Sequence, residues 1–127
     1  MDGTFVVALP GATVRVSDRA GTRLVEVRGE VDPSTGPAVR AVLTAQFDRL
    51  PAALVVDLTK TRFLTAAGVN ALLEAARLAD RRGVPFAVAA DGRPVLRPLR
   101  ITGADRAFAT RPTVHQAFSA VRPALTG

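Results

Sequence analysis

The stretch LVVDLTKTRFLTAAGVNALL, residues 54–73, decides how this chain folds. Leu54 to Leu58 is a short, nearly unbroken apolar run, the pattern of a strand buried on both faces, and it reads as the central strand. Pro51 separates it from whatever precedes it. A polar stretch from Thr59 to Arg62 leads into Phe63, Leu64, Thr65, Ala66, Ala67 and Gly68. Val69, Leu72, Leu73, Ala76 and Ala79 then recur at helical spacing as far as Arg82, and Gly83 supplies a C-cap. A buried strand that feeds a helix is half of a βαβ unit, and such units build parallel sheets through right-handed crossovers.

Downstream, Phe86 to Ala90 is a second apolar strand behind Pro85, and Asp91 to Pro94 is a turn. Val95 to Ile101 has helical apolar spacing but contains Pro98. The proline ring clashes with the preceding turn and removes one amide donor, so this third helix is expected to be short or kinked there. Thr102 and Gly103 close it, Ala107 to Ala109 fits a short strand, and Val114 to Val121 fits a last helix. Upstream, Thr13 to Ser17 alternates in polarity, Gly21 turns the chain, and a second strand continues from Leu24 to Val31, which makes a hairpin. Asp32, Pro33 and Ser34 follow as a turn and helix start; Val39, Val42, Leu43, Gln46, Phe47 and Leu50 place a first helix over residues 34–50. Phe5 to Leu9 follows Asp2 rather than a basic residue and is too short to span a membrane. An extra edge strand, packing on the sheet and disorder all remain open for it. The expectation is one α/β domain over residues 13–121, with an extension or extra strand at 1–12 and a tail at 122–127. Its architecture would be a largely parallel sheet built through right-handed crossovers.

A chain of 127 residues is long enough to bury one real core without staples. The absence of cysteine removes disulfides, thiolate metal sites and thiol nucleophiles together, which fits a reducing cytoplasm. The formal charge is +6, yet sixteen of the seventeen basic residues are arginines scattered from Arg15 to Arg122, and no Trp or Tyr is present to stack on bases. That distribution argues against nucleic acid and for steering toward an acidic protein partner. His115, the single histidine, has no Asp, Ser or Cys neighbour in sequence and is a poor candidate for a triad or a metal ligand. No phosphate-cradling glycine motif occurs. No catalytic residue, cofactor or metal is expected, and the chain is read as a binding module rather than an enzyme.

The loop from Phe63 into the second helix leaves the carboxyl end of a parallel strand, which is where α/β sheets place their sites. The competing reading is that Thr65 is an N-cap and Ala66 to Gly68 merely allow close packing. Four elements together resemble one family. Arg28-Gly29-Glu30-Val31-Asp32, Val55 to Leu58, Phe63 to Leu73 and Gly103 to Phe108 are similar, in order and spacing, to segments of STAS domains, the anti-sigma factor antagonists of bacteria. The resemblance covers residues 13–121. It implies the STAS fold, a four- or five-stranded, mostly parallel mixed sheet with about four helices mainly on one face, and it implies partner switching: the unphosphorylated antagonist binds an anti-sigma factor or serine kinase-like ATPase and frees a sigma factor. The kinase phosphorylates the first serine of an Asp-Ser-Ser-Gly element. Asp32 corresponds to the family's acidic residue beside that serine, and Asp57 to the acidic residue closing the central strand.

The departure from that pattern is as informative as the match. Thr65-Ala66-Ala67-Gly68 stands in place of the family's element, so the phosphoacceptor position is Ala66 and carries no hydroxyl. The chain's serines are Ser17, Ser34 and Ser119, none of them in this loop. Thr65 is one residue early, a displacement of about 3.5 Å that in-line phosphoryl transfer does not readily absorb. The expected partner-binding surface is Asp32, Thr65, Ala66, Ala67, Gly68, Val69 and Asn70. The chain is expected to be cytoplasmic, a monomer or weak homodimer, with no nucleic acid and no direct membrane insertion. Two alternatives are a phosphorelay through Thr65 and a STAS subunit of a membrane transport complex.

Overall fold

The structure, a computed structural model, describes residues 4–122. Residues 1–3 and the expected tail beyond Arg122 lie outside the described residues. Seven strands and four helices follow one another as β1 (Phe5–Leu9), β2 (Ala12–Arg19), β3 (Thr22–Val31), α1 (Gly36–Ala45), β4 (Ala53–Asp57), β5 (Thr61–Leu64), α2 (Ala66–Arg82), β6 (Phe86–Ala89), α3 (Arg93–Ile101), β7 (Ala109–Arg111) and α4 (Val114–Val121). A tight 3-10 turn over Gln46–Arg49 extends α1, and Leu50 closes it in the left-handed region at φ 45°. The first helix therefore starts and ends inside the expected 34–50 span.

The sheet runs in the order β1-β2-β3-β4-β6-β7. The pairs β1/β2 and β2/β3 are antiparallel, and β3/β4, β4/β6 and β6/β7 are parallel. Residues 5–9 thus form the edge strand, one of the three possibilities left open by their sequence. β5 is an element that the sequence did not announce. It continues the line of β4 along β3: Thr22 to Glu26 pair with β4, and after a register shift between Gly29 and Glu30 the strand pairs with Thr61 to Leu64 instead. β1 and β5 raise the strand count from the expected four or five to seven. The last strand begins at Ala109 rather than Ala107, because Phe108 turns inward and is buried, edge-on to Phe86 with ring centroids 5.6 Å apart.

Why β4 is apolar from Ala53 to Val56 is visible from the two layers. Leu54 and Val56 face a large core built with α1, α2 and α3 through Leu43, Phe47, Leu72, Ala75 and Leu99. Val55 faces a smaller cluster behind the sheet, where Leu24, Ala87 and Ala89 meet Ala117 and Val121 of α4. Three helices cover one face and α4 the other, and the alanines let α4 approach closely. Where α4 does not reach, the back of the sheet turns polar: Arg15 and Arg28 are exposed between the buried Val14, Val16 and Val27.

α3 is short, nine residues, but it runs continuously through Pro98. No break occurs there, because in so short a helix the proline removes a single intrahelical bond while the fully buried Leu99 anchors the same turn to the core. Among the described residues no helix is long and apolar enough to cross a membrane.

Candidate functional site

At the carboxyl edge of β3 and β5, the starts of α1 and α2 come together. Thr65 is the residue that joins them: its backbone N–H and its hydroxyl both donate to the Val31 carbonyl oxygen, each at 2.9 Å. It occupies the N-cap position of α2, but its side chain reaches back to the sheet instead of capping the helix. The first α2 bond runs from the Val69 N–H to the Thr65 carbonyl at 3.0 Å. The amides of Ala66, Ala67 and Gly68 thus precede the intrahelical ladder, at the positive end of the helix dipole.

Asp32 leaves β3 directly after Val31 and organises the start of α1. Its Oδ1 accepts from the backbone N–H of Ser34 and of Thr35, both at 2.9 Å, and from the Ser34 hydroxyl at 2.8 Å. The Asp32 N–H donates to the Thr35 hydroxyl oxygen at 2.9 Å, and the Thr35 hydroxyl donates to the Glu30 carbonyl at 3.0 Å. The Thr35 N–H, then the Ser34 hydroxyl, favour the ionised carboxylate and hold the Asp32 pKa below its ordinary value, against an opposing effect of burial. A depressed folded-state pKa contributes stability that is present above the unfolded value and lost as pH falls through the folded one. Asp32→Asn is therefore expected to be less stable than the native protein at neutral pH, with the difference shrinking as pH falls below about 4. Thermal melts between neutral and acidic pH check this; a difference independent of pH would remove the carboxylate's charge from the explanation.

The two helix starts touch. A Cβ placed on Gly36 would stand 2.6 Å from Cβ of Ala67, so glycine at 36 and a small residue at 67 permit the approach. Gly68 is buried against Leu64 and Val31 in the same way. Of the residues expected at a partner surface, Ala66 and Asn70 are exposed, and Asp32, Thr65 and Ala67 are half-buried. Gly68 and Val69, two and three places after Ala66, turn toward the core: Gly68 packs on the sheet and Val69 is 3% exposed. Asp57 is not part of this constellation. It is 6% exposed, and its Oδ1 accepts from the Thr59 N–H at 2.9 Å and the Thr59 hydroxyl at 2.6 Å, fixing the turn between β4 and β5. His115 is exposed at the start of α4.

Two residues that the sequence reading passed over stand beside the constellation. Phe63 on β5 is 51% exposed and Ile101 at the end of α3 is 72% exposed. A signal for Ile101 was present: it lies two residues past Leu99, about 200° around the helix and off the buried Val95/Leu99 stripe. An apolar side chain on the solvent side of an amphipathic helix has no packing reason to be there.

Residues 12–117 match the STAS domain family. A curated relative, the anti-sigma-F factor antagonist RsfB of Mycobacterium tuberculosis, is 33% identical over 110 residues, covering 87% of this chain and 89% of its own length. The crystal structure of an anti-sigma factor antagonist from Mycobacterium paratuberculosis superposes with a TM-score of 0.83 at 34% identity, over 92% of this chain and all of that one. SpoIIAA, an anti-sigma factor antagonist solved in its unphosphorylated form, shares the fold at a TM-score of 0.71 and 17% identity, over 89% of this chain and 99% of that one. Two of the four elements that carry the resemblance, Arg28 to Asp32 and Phe63 to Leu73, build the helix-start constellation, and the chain belongs to the STAS domain family, among its anti-sigma factor antagonists.

Proposed function

We propose that this chain is a cytoplasmic, non-enzymatic regulator that docks its α2 start and Asp32 turn onto an anti-sigma factor, or a related serine kinase-like ATPase, and does so without a serine phosphorylation switch. The observation that carries the reading is Ala66: an exposed methyl at the first residue of α2, held in an otherwise intact frame of Val31, Thr65, Gly36 and Ala67. Phosphoserine at that position adds about 1.5 to 2 negative charges, which a closely apposed acidic or apolar surface repels. Alanine never carries that charge, so the docking surface stays in its binding form. Thr65 does not take over the role, because its hydroxyl is engaged with the Val31 carbonyl inside the fold.

The test is intact mass after incubation with ATP and each candidate kinase, alongside anti-sigma binding before and after phosphatase. No mass gain and no change in binding are expected. A gain of one phosphate, about 80 Da, that the Thr65→Ala variant fails to show would replace this reading with a phosphorelay through Thr65.

A further inference from the structure

Beside Ala66, a groove of about 580 Å³ opens between β5, the start of α2 and α3. Phe63, Leu64 and Val69 form one side, and Pro94, Pro98 and Ile101 the other. Among the described residues five large apolar side chains are exposed, and two of them, Phe63 and Ile101, meet here. The charged groups at the groove are all cationic: Arg93 and Arg97, one turn apart on α3, line it, no carboxylate does, and neither arginine makes an ion pair among the described residues.

Arg93 is also misplaced for its own helix. It is the first residue of α3, whose first turn contains no acid, although the dipole favours a negative charge there. A cation at that position, next to an apolar floor and the electropositive start of α2, gives the groove a positive charge that no residue lining it offsets. The geometry points to an amphipathic segment of the anti-sigma partner as the occupant, inserting one or two large apolar side chains between Phe63 and Ile101 and presenting Asp or Glu to Arg93 and Arg97. This rests on the reading that the chain docks an anti-sigma factor through the start of α2, and it extends that surface across β5 to α3.

The experiment uses the full chain against each purified anti-sigma factor of the organism that encodes it, by titration calorimetry and stopped-flow, with Ile101→Asp, Phe63→Ser, the double variant Arg93→Glu/Arg97→Glu, and Ala66→Arg as the reference. One factor should bind the native chain. Ile101→Asp and Phe63→Ser should each weaken it about 30-fold or more, with unchanged circular dichroism. The charge reversal should slow association about tenfold and flatten or invert its salt dependence. Native affinity in the groove variants, with binding lost in Ala66→Arg, overturns the groove and leaves the helix-start reading standing. Loss in the apolar variants without a charge-reversal effect overturns the acidic chemistry of the occupant. Self-association of the native chain in sedimentation that Ile101→Asp abolishes makes the occupant a second copy and overturns the assignment to a partner. Absence of any binding factor overturns the docking reading itself, and the groove assignment with it.

Discussion

Replacing Ala66 by arginine is expected to weaken anti-sigma binding at least about 100-fold, close to 3 kcal/mol, while the melting temperature moves by no more than a few degrees. Ala66 is exposed at the first position of α2, so a long side chain there meets solvent rather than core. Arginine is a good helix former, and its unfavourable interaction with the helix dipole costs about 0.3–1 kcal/mol. In a docked complex the same side chain has nowhere to go, and it brings a cation to a surface already bounded by Arg93 and Arg97. Calorimetric titration and thermal melts on the same preparation separate the two effects. Parallel loss of fold and binding would make residue 66 a structural position and end the docking argument.

Gly29→Ala is expected to be the most damaging single-methyl change, at about 3 kcal/mol or more and a fall of roughly 10 °C in melting temperature. Gly29 has φ 101°, a region L side chains rarely adopt. A Cβ there would overlap the Gly11 carbonyl oxygen and lie 3.1 Å from Cα of Ala12. That same Gly11 oxygen accepts the Glu30 N–H at 3.0 Å, while the Gly29 N–H donates to the Lys60 carbonyl oxygen at 3.2 Å. The methyl would push apart the bulge where β3 exchanges β4 for β5. Gly103→Ala is the control: φ is 76°, nothing stands within 4 Å of the added atom, and about 1–2 kcal/mol is expected. Urea unfolding of both variants decides it, and equal losses would show that backbone strain alone, not the bulge, explains Gly29.

The parts of the fold visible in the sequence were those with strong periodicity or strong breakers. Val69, Leu72 and Ala76 announce α2, and Gly83 ends it in the left-handed region at φ 66°. Leu54 to Leu58 announces a doubly buried strand, and logically demands cover on the second face, which α4 provides. β5 stayed hidden because Thr61-Arg62-Phe63-Leu64 has no alternation: its ends are buried and its middle is exposed, and its partner lies past a bulge more than thirty positions upstream. The site divided in the same way. Asp32, Thr65 and Ala66 could be singled out because they coincide with a family pattern, which names positions but not burial, so the inward turn of Gly68 and Val69 did not show. Phe63 and Ile101 come together only through the crossing of β5 and α3, a tertiary fact.

The open setting of Ala66 also bears on how far this position stands from a phosphorylatable one. In every alanine codon a single first-base substitution yields serine, and the side chain at 66 is exposed, so an added oxygen there would face solvent. A hydroxyl at residue 66 is thus one mutational step away, while the packing of Gly36 on Ala67 and of Thr65 on Val31 supplies the framework around it. On the proposed reading, a single nucleotide separates an antagonist without a serine switch from one with a hydroxyl to phosphorylate, and Thr65, which lacks the acidic side chain of the family pattern, sets how well a kinase would use it.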